Sequence, residues 1–180
     1  MMGTVYLSKP GVVPVRILTP PVEDETTFTL HEVRLIPACE GKSPEVEADG
    51  SFILHARDAT TWSNTLRYEP DKAKNCLGFW TDIEDFAEWE IVTSVPATFA
   101  ATIIYGCGDK NAGSVVALRS GETEIVFTVE ATGGFQSWKK LEIGAIQFPE
   151  AGRHQVVVQP KIKEGSAVMD LKQLVLTPVD

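Results

Sequence analysis

The strongest constraint on what this chain can fold into is a period of two. Apolar residues alternate with other residues at Phe52, Leu54 and Ala56, at Phe99, Ala101, Ile103 and Tyr105, at Ile125, Phe127 and Val129, and at Val13, Val15 and Ile17. Successive side chains of an extended strand point to opposite faces, so each run reads as a strand with one face in a core. Gly, Pro, Asp or Ser bounds every run, which is the punctuation of tight turns. Many short strands can bury their apolar faces only by stacking two sheets or closing one, so the pattern predicts an all-β sandwich or barrel. One segment competes: Ile83, Phe86, Ala87 and Ile91 keep a helical period, while Trp89 and Ile91 alternate. It is read as a short helical turn near Asp82 to Phe86 followed by strand, with Trp89 in the core.

A second feature organises the chain. Laying Gly3 on Gly144, an offset of 141 residues, aligns GTVYLSKPGVVPVRI with GAIQFPEAGRHQVVV and LHEVRLIPA with LKQLVLTPV. Seven of the 36 aligned positions are identical, against about two expected from composition. An offset of one domain's length suggests tandem copies. Residues 1–38 then read as the C-terminal strands of a preceding repeat, or as an N-terminal β-hairpin extension. Residues 39–48 read as a linker and 49–180 as a complete domain. The competing reading is that two hairpins of one fold merely look alike. An isolated hairpin cannot bury its apolar face, so residues 1–38 are expected to pack on the domain or to pair with a second chain.

Several classes of function are excluded. Sixteen basic against 25 acidic residues leave a net charge of −9, which repels a nucleic-acid backbone. No apolar run approaches the ~20 residues needed to span a bilayer. The start MMGTVYLSKP lacks the basic and apolar regions of a secretory signal. Cys39, Cys76 and Cys107 include no CxxC pair, so neither a zinc site nor a disulfide framework is expected, and at most one bridge fits. His31, His55 and His154 fall in predicted strands with no acid and nucleophile in recognisable order, and are read as structural. No phosphate-binding loop, dinucleotide fingerprint or GxSxG elbow occurs. The acidic run Asp82, Glu84, Asp85, Glu88 and Glu90 reads as a solvated face rather than as a glycosidase carboxylate pair.

What remains is aromatic. Trp62, Trp80, Trp138, Phe79, Phe135 and Tyr68 lie mostly in loop-flanked, polar contexts. Aromatic rings stack on the C–H faces of sugars while neighbouring polar groups bind the hydroxyls, so such residues on a sandwich suggest saccharide recognition. The competing reading places these rings in the core.

The order of several segments resembles family 6 and family 35 carbohydrate-binding modules. TGGFQSW (132–138), AGRHQVVV (151–158) and AVMDLKQLVLTP (167–178) resemble their TGGWxxW, LxxGxHxφxφ and NφDxφxφ stretches. LHARDA (54–59) and LGFWTDIEDFAEWEI (77–91) resemble their opening φxAED and their aromatic segment. LRYEP, NCLGFW and VPATFAATIIYGCG are similar to accessory domains of bacterial α-L-fucosidases and sulfatases. The resemblance spans residues 51 to 178 and implies a galactose-binding-domain-like jelly roll, an antiparallel β-sandwich with its ligand cleft in loops at one edge.

By position, Phe135 replaces the stacking Trp, Phe79 or Trp80 supplies the second aromatic, and Asp170 replaces the hydroxyl-binding Asn. Trp138 matches the last aromatic of the TGGW motif. The family's calcium positions read Arg57 and Lys172, cations that cannot serve as hard anionic ligands, so no metal is expected there. Arg57 is then available to pair with Asp58 or Asp170. The chain reads as a non-catalytic module that binds glycan and targets a larger secreted bacterial protein, extracellular or periplasmic, with no cofactor. A structural spacer or protein-contact sandwich that has lost its sugar site is the second reading, and an enzyme using the acidic run the last. Asp170 and the net charge argue against a strongly anionic glycan unless Lys139 or Lys163 offsets them.

Overall fold

The computed structural model describes residues 42–179, together with residues 12, 14–17, 29–31 and 33. The chain divides into two compact units, Met1–Leu35 and Ile36–Asp180. In the first, the described residues are exposed and belong to no helix or strand. Val15 and Ile17, read as strand residues from the alternation, and His31, placed in a predicted strand, are therefore not in strands; a strand requires pairing, and Pro14 beside Val15 has no N–H to donate. Val13 and most of the first repeat copy, with its packing or self-association, lie outside the described residues, as does Cys39.

Among its described residues the second unit is an antiparallel sandwich of eleven strands: β1 (Phe52–His55), β2 (Thr60–Trp62), β3 (Arg67–Glu69), β4 (Cys76–Gly78), β5 (Phe86–Thr93), β6 (Ala97–Cys107), β7 (Val115–Ser120), β8 (Thr123–Thr128), β9 (Gly134–Phe148), β10 (Gly152–Ile162) and β11 (Asp170–Pro178). One sheet runs β3-β4-β11-β6-β9, with β1 also on β11, and the other runs β2-β5-β10-β7-β8. The predicted sandwich is thus the observed fold. Two short 3-10 turns, Ala56–Asp58 and Asp109–Asn111, are the only helical elements among the described residues.

The core lies between the sheets, where alternation sends β6 residues Phe99, Ala101, Ile103 and Tyr105 inward. Phe99 packs at 5.6 Å, centroid to centroid, against both Phe52 and Phe148. Burying each such ring contributes about 2–3 kcal/mol. Trp89 is buried as expected, and its indole N–H donates to His55 O at 2.9 Å, so the ring enters the core without an orphaned donor.

Three expectations are refined. The turn near Asp82 to Phe86 contains no helix: Asp85 N–H donates to Asp82 O at 3.4 Å, Glu84 N–H is taken by the Asp82 side chain at 3.0 Å, and β5 begins at Phe86. The second repeat copy is not a hairpin. Its three strands divide between the sheets, the end of β9 and β11 both pairing with β6 in one and β10 with β5 and β7 in the other. The acidic run is divided: Asp85, in the turn before β5, is buried, whereas on β5 Glu90 pairs with Arg153 at 2.5 Å and Glu88 accepts from Gln155 at 3.4 Å across β5 and β10.

Candidate functional site

At one end of the first sheet, β3 and β4 form a hairpin with Arg67 opposite Gly78 and Glu69 opposite Cys76. Its loop is closed by Asp71, which accepts from Ala73 N–H at 2.8 Å, and by Asn75, at φ 44°, which accepts from Tyr68 OH at 2.6 Å. β4 pairs through Leu77 with Leu171 of β11, which brings Asp170 beside Cys76 and Gly78. Gly78 leaves room here for two acidic side chains. A β-carbon would lie 3.1 Å from Asp170 Oδ1 and 3.2 Å from Glu69 Cδ, so two carboxylates converge over this residue.

Asp170 is buried. Its Oδ2 accepts from Gln136 Nε2 at 3.0 Å and from the Cys76 thiol at 3.7 Å. Glu69 Oε1 accepts from Lys74 Nζ at 2.7 Å. Among the described residues, Asp170 Oδ1 and Glu69 Oε2 have no donor, so both can accept from a ligand. Burial pushes the Asp170 carboxyl up to about 6, with Gln136 acting against this and Glu69 adding to it. Burial, reinforced by Asp170, pushes the Cys76 thiol up to about 12. Ligand-type atoms of Glu69, Cys76 and Asp170 lie within 4.8 Å of one another. With the thiol protonated and the Lys74 ammonium already on Glu69, they form a hydrogen-bonded cluster whose positive charge is supplied by the chain itself. Cys76 and Cys107 are both free and buried.

The aromatic candidates separate. Phe79 follows β4 at φ 58°, a conformation that costs a bulky residue energy and that clusters at functional sites. The residue is 45% exposed. Trp80, the next residue, turns the other way and is fully buried, with its indole N–H donating to Asp85 O at 3.0 Å. Of the two alternatives for the second aromatic, only Phe79 can present a ring to solvent. Phe135 is half-buried: a β-carbon on Gly108 would lie 3.4 Å from its Cε2, and Gly106 has no side chain because the Phe135 carbonyl fills that space. Its neighbour Gln136, rather than Phe135 itself, reaches Asp170. Trp138 is half-buried under the Lys172 ammonium, 4.6 Å from the ring centroid.

The calcium positions do not fit a cation. The exposed Arg57 has its Nε 3.7 Å from the half-buried Asp58, and Lys172 covers Trp138. Arg57 therefore takes Asp58, not Asp170, as its partner. Lys139 and Lys163 do not approach the Asp170 cluster; Lys139 pairs with Glu130 at 2.5 Å and Lys163 donates to Gly165 O at 2.8 Å. The cations beside the cluster are Arg67 and Lys74, which line an open depression of about 590 Å³ with Tyr68, Glu69, Pro70 and Asp71. Arg67, Glu69, Lys74 and Gln136 were not among the residues assigned from sequence. A hairpin reading of LRYEP and NCLGFW would have found the first two.

No protein-family model and no curated protein matches the sequence. Solved structures do match. A family 35 module from Clostridium thermocellum aligns at 13% identity and TM-score 0.54, covering 70% of this chain and 96% of that one. The C-terminal family 6 module of LamC, a marine laminarinase from Zobellia galactanivorans, aligns at 16% identity and TM-score 0.56, covering 71% and 98%. A GH26-CBM35 β-(1,4)-mannanase from Podospora anserina aligns at 17% identity and TM-score 0.53, and the chain spans only 28% of its length. At these identities the likeness is one of fold. With two antiparallel sheets in this arrangement, the chain has the β-sandwich fold of family 6 and family 35 carbohydrate-binding modules.

Proposed function

We propose that the domain is a non-catalytic carbohydrate-binding module that uses the β3-β4 hairpin and the start of β11 as its site, and that it holds a larger secreted protein on glycan. The observation that carries this reading is Phe79, an exposed ring held in a left-handed conformation beside two converging carboxylates. A platform for sugar C–H groups thus lies next to acceptors for sugar hydroxyls, Glu69 Oε2 and Asp170 Oδ1, while Gln136 supplies the amide that Asp170 lacks. Residues 49–180 act as the binding domain, and residues 1–38 as the end of a preceding copy.

Binding is tested by glycan-array screening followed by calorimetry on the hits, with Phe79→Ala and Phe135→Ala compared. Loss of binding in Phe79→Ala with retention in Phe135→Ala supports the site; binding indifferent to Phe79 refutes it. The spacer reading is favoured by one observation, the half-burial of Phe135 where a free stacking ring would stand, and it prevails if no glycan binds.

A further inference from the structure

Two strand pairings gather three ligand-type side chains: Glu69 stands opposite Cys76 across β3 and β4, and Leu171, next to Asp170, stands opposite Leu77 of β4. All three lie below the surface, Cys76 at 0% and Asp170 at 5% exposure and the Glu69 side chain at 14%. Buried carboxylates are paired with a cation or bound to a metal. Here two carboxylates share one ammonium. Lys74 Nζ sits on Glu69 Oε1 at 2.7 Å, whereas Asp170 Oδ2 receives only neutral donors, Gln136 Nε2 at 3.0 Å and the Cys76 thiol at 3.7 Å. Each carboxylate is thus fixed through one oxygen and, among the described residues, bare on the other. The bare oxygens, Glu69 Oε2 and Asp170 Oδ1, converge on the space that the missing side chain of Gly78 leaves open. Burial first, and neighbouring negative charge after it, push both the Asp170 carboxyl and the Cys76 thiol up, as befits acids gathered with too little positive charge.

We propose that this trio binds a divalent cation of the zinc class, held by the Cys76 thiolate, Glu69 Oε2 and Asp170 Oδ1, with water as the fourth ligand. Tetrahedral zinc, with Zn–S of about 2.3 Å and Zn–O of about 2.1 Å, needs donor–donor edges of about 3.4–3.6 Å. One ligand atom from each residue already lies within 4.8 Å of the others, so side-chain movement of about an ångström closes the set. The donor types choose the metal. A thiolate suits zinc and cadmium, whereas calcium and magnesium are held by oxygen. Lys74 and Gln136 keep their places and become the donors that orient the two ligating carboxylates. On binding, the Cys76 S–H bond breaks, the sulfur keeps the electron pair and bonds the cation, and the proton leaves to solvent. Three anionic ligands are then balanced by the dication and Lys74. Glu69 and Lys74 also line the open depression, which gives the cation a way in. The proposal does not rest on the saccharide reading: the cation takes the two oxygens there assigned to sugar hydroxyls, so cation and sugar exclude each other.

The test titrates Zn²⁺, Cd²⁺ and Ca²⁺ separately, near neutral pH, into the reduced, chelator-treated full chain and into Cys76→Ser, Glu69→Gln, Gln136→Ala and the controls Cys39→Ser and Cys107→Ala. Cd²⁺ is expected to give a thiolate-to-metal charge-transfer band in the ultraviolet that saturates at equimolar metal, persists in both controls and is absent from Cys76→Ser. Zn²⁺ raises the melting temperature and releases about one proton per ion; Ca²⁺ does neither. Gln136→Ala weakens Zn²⁺ about ten-fold, as loss of an orienting partner does, and Glu69→Gln, which keeps an acceptor for Lys74, weakens it by more. Should Cys76→Ser fail to fold, Glu69→Gln carries the decision. A full chain without the band, a band that survives in folded Cys76→Ser, or Zn²⁺ affinity unmoved by Glu69→Gln overturns the proposal and leaves the saccharide site standing.

Discussion

Replacing Asp85 with alanine is the most informative perturbation of this fold, because one buried carboxylate holds the segment that leads into the candidate site. Asp85 is 1% exposed and accepts from Asn64 N–H at 2.6 Å, Thr65 N–H at 3.0 Å, Thr65 Oγ1 at 2.8 Å and Leu66 N–H at 2.8 Å. Leu66 is followed directly by Arg67 and Glu69 of β3, so the carboxylate connects local turn geometry to the position of the depression. Asn64 is exposed and Thr65 half-buried, so water can replace their lost acceptor; Leu66 is buried, and its N–H is stranded. An orphaned buried donor costs about 1–3 kcal/mol, and each hydrogen bond to a charged group contributes about 1.5–3 kcal/mol net. Allowing for rehydration and non-additivity, the sum is about 3–5 kcal/mol, a large part of a typical domain stability of about 5–15 kcal/mol. Urea unfolding followed by tryptophan fluorescence reads this directly, since Trp80 donates its indole N–H to the Asp85 backbone carbonyl. A loss below about 1 kcal/mol at unchanged m-value would refute the reasoning, because four short hydrogen bonds to a buried carboxylate could not then be stabilising the loop.

Trp80→Ala is expected to destabilise the domain by about 3–5 kcal/mol in the same assay, as loss of a buried aromatic does, and to affect sugar binding only through that loss. Asp170 predicts a pH dependence. Its folded-state value of about 6 stands above the ordinary 3.8, so the native state holds this proton more tightly, and the resulting stabilisation is full below about pH 4 and lost as pH rises to about 6. Stability measured from pH 4 to 7 should therefore fall more steeply in the unaltered chain than in Asp170→Asn; identical slopes would contradict the buried, charge-starved environment. Gly106→Ala places a β-carbon 2.6 Å from the Phe135 carbonyl carbon, so β6 and β9 must part there. A melting temperature unchanged from that of the parent would show the close approach to be wrong.

How much was legible beforehand differs between the layers of the structure. Alternation located β1, β6 and β8, because a strand in a two-layer sandwich has one wet and one dry face whatever its neighbours are. It also placed Trp89 in the core. It failed at Val15 and Ile17, where alternation is present but pairing is not. It could not divide Phe79 from Trp80: adjacent residues face opposite ways, and with an aromatic at both positions the pattern does not say which goes in.

The sequence by itself determined the layered all-β architecture, the absence of a stretch apolar enough to span a bilayer, and the order of segments shared with sugar-binding sandwiches, since these follow from local periodicity and composition. Only the tertiary structure decided the site. Glu69 and Asp170 are 101 residues apart in sequence and meet over Gly78 because β4 pairs with β11. Arg67 covers Phe79 because the hairpin sets it opposite Gly78 while a left-handed backbone turns the next ring outward. Burial, charge pairing and ring exposure are properties of neighbours, and long-range strand pairing chooses the neighbours.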